Sequence, residues 1–190
     1  MKVLFINKLK ITILIIIAGQ LINTSCSKRI YQGISYKNIE NSAEKRDLKK
    51  FIDQGTGKRV NNNSTNADEI INTAHKFLGV PHCTGGTTSR CMDCSGFLVT
   101  VFGIHNIYLP HNSEEQARYG KIIAKKEKLN TGDLVFFIKS YKTNRFITHS
   151  GIYLGNEQFI HVSSSRGVTI TSIYDPWWNQ KFIFGTRIFK

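Results

Sequence analysis

Hydrophobic positions follow three regimes along the chain. Ile11 to Ala18 is an apolar stretch broken only by Thr12, and it follows a basic start at Lys2, Lys8 and Lys10. Farther on, Ile70, Ile71, Ala74, Phe77 and Leu78 recur at the spacing of one helical face. Asp68 is the expected N-cap of that helix, and Gly79 and Pro81 mark its exit. A second apolar segment, Phe97 to Phe102, opens from Asp93-Cys94-Ser95-Gly96. Beyond Gly132 the pattern changes to short runs rich in β-branched and aromatic residues, at 134–138, 151–154, 159–162, 168–173 and 182–189. Helices first and strands second predict an α+β domain over residues 67–190.

The residues before that domain read differently. A basic start, an apolar core and the small polar Thr24 and Ser25 give residues 1–25 the layout of a secretory signal. Its ending, Thr-Ser-Cys, resembles a bacterial lipobox, with Cys26 as the lipidated first residue of the mature chain and Asn23 where Leu is usual. An ordinary signal cleaved nearby, or an uncleaved anchor, are the alternatives. Residues 26–66 are polar and lysine-rich and read as a tether or loosely docked arm. Within them, residues 42–54 could instead pack as a helix, because Leu48, Phe51 and Ile52 share one face.

Charge adds little. The chain carries +13, and it remains near +10 once Lys2, Lys8 and Lys10 are set aside. Such a surface attracts anionic partners. No basic helix, zinc-finger spacing or aromatic RNA-binding motif accompanies it, so nucleic acid is not an expected partner. Anionic lipid and cell wall suit an exported protein better.

The candidate chemistry sits at Cys94, with His149 and His161 downstream. A thiol attacks as thiolate, and the first turn of a helix favours that anion through its unpaired N–H groups and dipole. An imidazole within reach would complete a thiolate–imidazolium pair, and a third polar group on the far ring nitrogen would fix the tautomer. Both histidines serve one site only if the strands permit it. A two-residue loop between them pairs Leu154 with Glu157 and puts the histidines on opposite faces. A three-residue loop, Gly155 to Glu157, pairs Leu154 with Gln158 and sets Gly151 opposite His161. The histidines then share a face, and Ile152, Leu154, Ile160 and Val162 share the other. The three-residue loop is therefore the expectation.

Seven segments in order carry a family resemblance: Leu78-Gly79-Val80-Pro81, Gly85-Gly86-Thr87, Asp93-Cys94-Ser95-Gly96-Phe97, Leu109-Pro110 with Ser113 and Gln116, Gly132 to Phe137, His149 to Gly155, and Phe159-Ile160-His161. Together they resemble the NlpC family of papain-like cell-wall cysteine peptidases. The resemblance implies a papain-like fold, with helices carrying the nucleophile packed on an antiparallel sheet. It implies hydrolysis of peptidoglycan stem peptides at the γ-D-glutamyl–diamino acid bond. Cys94 would attack, His149 would act as base and then acid, and His161 would orient His149. Asp93 and Ser95 match positions that hold the free amino end of the peptide, and no metal or organic cofactor is implied. His82 stands in this substrate-binding region where the family has Tyr, and Ser150 where it has Val.

Cys83 and Cys91 occupy positions that are not normally cysteine in that family. A Cys83–Cys91 disulfide would leave Cys94 free and contribute about 2.5 kcal/mol by constraining the unfolded chain. Unpaired thiols, a Cys91–Cys94 bridge of the C-x-x-C kind, and a zinc site from His82, Cys83, Cys91 and Cys94 are the alternatives. The combined expectation is a monomeric, lipid-anchored wall peptidase of the cell envelope, on the periplasmic face of the outer membrane. The competing functions are a catalytically silent wall-binding lipoprotein and a papain-like amidase or acyltransferase on another substrate.

Overall fold

Strands read from alternation pair into one antiparallel sheet in a computed structural model, which describes residues 39, 41–61 and 65–189. The signal and Cys26 lie outside those residues. The sheet has six strands: β3 (Lys121–Ile123), β4 (Leu134–Phe137), β5 (His149–Gly155), β6 (Gln158–Ser163), β7 (Gly167–Ser172) and β8 (Phe182–Arg187). Their spatial order is β3-β8-β4-β5-β6-β7. A two-stranded ribbon, β1 (Thr87–Thr88) with β2 (Cys91–Met92), stands apart from it. The helices are α1 (Ser42–Asp53), α2 (Ala67–His75), α3 (Cys94–Gly103), α4 (Ser113–Gln116) and α5 (Pro176–Asn179). This is the α+β, papain-like architecture expected, with helices leading and strands following.

Local chemistry explains the element ends. Asn66, rather than Asp68, caps α2, through a capping box in which Asn66 accepts from Glu69 N and Glu69 accepts from Asn66 N. Leu134, Val135, Phe136 and Phe137 are all fully buried, so β4 is covered on both faces. Val135, Phe137, Tyr153, Phe159, Ile173, Trp178 and Phe182 form one core cluster. On the other side Phe136 meets Phe184, and Phe51 of α1 lies 5.7 Å from Phe184 between ring centroids. Asp133, one of the family landmarks, serves the fold: its carboxylate takes two bonds from the Arg187 guanidinium at 2.9 and 2.8 Å, tying β8 to the start of β4.

Two expectations need correction. Residues 42–54 are not a loose tether. Leu48, Phe51 and Ile52 are buried, and Arg118 donates to Phe51 O, Gly55 O and Gln54 Oε1, so the packed unit begins well before residue 67. The turn between β5 and β6 has two residues, Asn156 and Glu157, both at positive φ as primed hairpin turns require. The expected register survives, with Gly151 opposite His161 and Ile152 opposite Ile160, because a bulge at Leu154 absorbs the missing residue. Leu154 consequently leaves the fully buried set.

Candidate active site

The site is built at the start of α3. Asp93 is the N-cap, in extended conformation, and its carboxylate accepts from Gly96 N at 2.7 Å. Cys94 is then the first helical residue, where the unpaired N–H groups of the helix end favour negative charge. The helix start is pressed onto the Gly-Gly loop. A Cβ on Gly96 would lie 1.9 Å from Gly86 O, so no other residue fits there without moving backbone. Cys83 and Cys91 are joined by a disulfide across that loop, which leaves Cys94 as the free cysteine among the described residues. The bonded loop delivers Gly85 N to Asp93 Oδ2 at 2.8 Å and Gly86 O to Asp93 N at 3.1 Å.

Asp93 and Ser95 bond to one another. The buried Ser95 hydroxyl donates to Asp93 Oδ1 at 3.0 Å, and His111 Nε2 meets the same oxygen at 3.0 Å. Burial works against the charged carboxylate, but Gly96 N–H, His111 and Gly85 N–H outweigh it and hold the Asp93 pKa below the ordinary range. A fixed negative charge therefore sits one residue from the thiol.

The sheet supplies the imidazoles. His149 and His161 sit diagonally on neighbouring strands β5 and β6, two positions apart in register, and His149 Nε2 lies 2.9 Å from His161 Nδ1. A Cβ on Gly151, opposite His161, would approach Ile160 O to 2.7 Å, so the absent side chain permits this close pairing. His161 Nε2 lies 3.1 Å from Thr171 Oγ1, which accepts from Arg166 at 3.2 Å. Trp178 packs on both rings at 4.7 Å. Burial pushes His149 down to about 3 and His161 down to about 2, so both are neutral near pH 7.

Cys94 lies against this strand. Its sulfur is 3.5 Å from Ser113 Oγ and receives the backbone N–H of Ser150, the residue after His149. Burial and the Asp93 charge raise the thiol, against the pull of Ser113 and the Ser150 and Ser95 N–H groups. Both shifts, the thiol raised and the imidazole lowered, work against the ion pair expected from the sequence. For His149 to take the thiol proton on Nδ1, its own proton sits on Nε2 and donates to His161 Nδ1. The His161 proton then sits on Nε2 and donates to Thr171.

The structure thus brings Cys94, His149, His161, Asp93 and Ser95 into one site. His82 is exposed, bridges to Met92, and after burial is the next influence that lowers the His149 pKa. Several neighbours are absent from the sequence reading. Trp178, His111 and Thr171 carry no motif, although Asp175-Pro176 signals the short helix that places Trp178. Tyr141, on the loop between β4 and β5, is pushed up by burial and by its proximity to Cys94 and Asp93, which places a phenol near the thiol.

Comparison with known proteins identifies the family. Residues 79–187 match the NlpC/P60 family. A Haemophilus influenzae protein described as a probable endopeptidase NlpC homolog is 34% identical over 93% of this chain and 97% of its own. The Escherichia coli murein DD-endopeptidase MepS/murein LD-carboxypeptidase is 40% identical over 63% of this chain and 61% of its own. A Bacillus cereus γ-D-glutamyl-L-lysine dipeptidyl-peptidase is 34% identical over 81% of this chain, which spans 46% of that protein. The crystal structure of an NlpC/P60 family protein from Bacillus cereus superposes with a TM-score of 0.62 at 32% identity, over 68% of this chain and 42% of the other. With a free cysteine at a helix N-terminus and two coupled histidines on the facing sheet, the chain belongs to the NlpC/P60 family and is a cysteine peptidase.

Proposed function

We propose that this protein is a peptidoglycan endopeptidase of wall remodelling, acting on stem peptides at the γ-D-glutamyl–diamino acid bond. The observation that carries the reading is the Cys94 thiol beside the His149–His161–Thr171 relay. In the acylation step His149 takes the Cys94 proton as sulfur attacks the γ-carbonyl. It then returns that proton to the leaving amine, which departs to leave a thioester. Water, deprotonated by His149, hydrolyses the thioester and restores the thiol. The choice of bond rests on Asp93: a persistent carboxylate charge beside the nucleophile favours a substrate bearing a cationic amino end close to the scissile carbonyl. The relatives include both a DD-endopeptidase and a γ-D-glutamyl dipeptidyl-peptidase, so the bond is a question for experiment.

Purified stem peptides with a free L-Ala amino end, alone and D,D-cross-linked, incubated with residues 27–190, with fragments identified by mass, test this reading. Release of L-Ala–γ-D-Glu is expected from wild type and not from Cys94→Ala. Cleavage only at D,D cross-links would overturn the bond, and no cleavage at all would overturn the function. We further propose that Cys26 carries a lipid that holds the enzyme at the periplasmic face of the outer membrane. Metabolic labelling with a fatty-acid analogue should then mark wild type and spare Cys26→Ala.

A further inference from the structure

Ser150 departs from the pattern that the sequence resemblance implies, and the reaction described above gives its side chain no part. Its surroundings assign one. Gln116 is fully buried, and its Nε2 donates to Ser95 O at 2.9 Å and to Pro110 O at 2.8 Å. Reversing the amide would set its oxygen against two carbonyls, so Oε1 is fixed facing Ser150 Oγ at 3.2 Å. The Ser150 hydroxyl spends its one proton there. Ser113 Oγ, 3.0 Å from Ser150 Oγ, must then donate to Ser150, since two oxygens cannot both accept. With its own proton spent, Ser113 meets the Cys94 sulfur only as an acceptor, at 3.5 Å. The order of donation is Cys94 S–H to Ser113, Ser113 to Ser150, and Ser150 to Gln116. All three polar side chains are at most 6% exposed, so no bulk water competes for these bonds.

We propose that Ser150 is a positioning residue which, acting through Ser113, holds the proton on Cys94 sulfur in the resting enzyme. Forming the thiolate requires Ser113 to turn its proton from Ser150 to sulfur. Without a hydroxyl at position 150 nothing competes for that proton, and Ser113 is free to donate to the anion. The protein thus keeps a guarded thiol. This rests on Cys94 being the nucleophile, not on which bond is cut.

The other charged or titratable groups around the thiol stay in place when Ser150 changes. They are Asp93 with its partner His111, His149 of β5 with His82 outside it, and Tyr141 with Arg145 from the β4–β5 loop. The test is the rate at which iodoacetamide labels the Cys94-containing peptide of the intact mature chain, followed by mass spectrometry as a function of pH. In Ser150→Ala and Ser150→Val the inflection should fall by on the order of one pH unit, the worth of one competing hydrogen bond. Ser150→Thr, which keeps the hydroxyl, should label like wild type. In a Ser113→Ala background, Ser150→Ala should produce no further shift. Near-ultraviolet circular dichroism identifies folded variants, and two hydroxyl-free substitutions keep the test open if one fails to fold. An inflection unmoved or raised in a folded Ser150→Ala or Ser150→Val chain would overturn the proposal. So would a Ser150→Thr shift like that of alanine, or a full shift that persists without Ser113. Labelling needs no turnover, so a failure to cleave muropeptides would sink the proposed reaction and leave this result standing.

Discussion

In the proposed reaction the two ring nitrogens of His149 have different tasks. Nε2 is committed to His161 at 2.9 Å, which leaves Nδ1 for the Cys94 proton. Each link outward from the thiol is less directly involved in proton transfer, so the cost of removing it should fall along the relay. His149→Ala removes the general base itself, and kcat/KM on a muropeptide should drop by about 10²–10⁴. His161→Ala leaves the base but frees its ring to rotate and exchange tautomers, so a smaller loss is expected. Thr171→Val removes only the last acceptor and should cost least. If His161→Ala cost as much as His149→Ala, His161 would be more than an orienting group. The Trp178 indole, 4.7 Å from both ring centroids, adds packing that restrains the two imidazoles, which stand edge to face at 79°.

At the scale of elements, the unexpected piece is α1. Its three buried residues make too narrow a stripe to distinguish a docked helix from a solvated one. What docks it is Arg118, more than sixty positions away, whose guanidinium fills the carbonyls Phe51 O and Gly55 O and lies 4.5 Å over the Phe51 ring. No local pattern announces a partner so distant. The same reasoning separates what could be read elsewhere. The β5–β6 register was legible because alternation and the need to unite His149 with His161 demanded one pairing. The turn length was not, because the bulge at Leu154 leaves that pairing intact. Strand β3, with three residues, and helices α4 and α5, with four each, are too short to show a period. In the site, Cys94 and the histidines stood out by residue type, whereas Ser113, Ser150 and Gln116 acquire meaning only when three elements meet. Arg118→Ala should therefore destabilise the domain by about 2–4 kcal/mol, since it leaves buried carbonyls unpaired and strips a ring of its cation. The exposed Lys49–Asp53 pair on the same helix offers a control: Lys49→Ala should cost less than about 0.5 kcal/mol. Equal midpoints in urea for the two variants would remove Arg118 as the docking residue.

For the molecule as a whole, the buried imidazoles make stability depend on pH in a defined direction. In the unfolded chain a histidine titrates near 6.5, whereas burial holds His149 down to about 3 and His161 down to about 2. Between those limits the unfolded state binds protons that the folded state refuses, so stability is full above about pH 6.5 and is lost as pH falls toward 3. Two such groups can give a slope of up to about 2.7 kcal/mol per pH unit, and roughly 2 kcal/mol should go between pH 6 and pH 5. Asp93 acts in the same sense but lower, because its carboxyl is held below its ordinary 3.8 and its contribution fades only in stronger acid. The early loss therefore belongs to the histidines, and it is separable by mutation. His161→Gln keeps a polar side chain that does not titrate, so its urea midpoint should decline about half as steeply between pH 6.5 and pH 5, whatever its absolute stability. A wild-type midpoint that is flat across that range would mean that the rings are solvated or already charged in the folded protein. An undiminished slope in His161→Gln would place the titration elsewhere. The halved slope would show that the neutral pair on which the proposed reaction rests is maintained at the expense of acid tolerance.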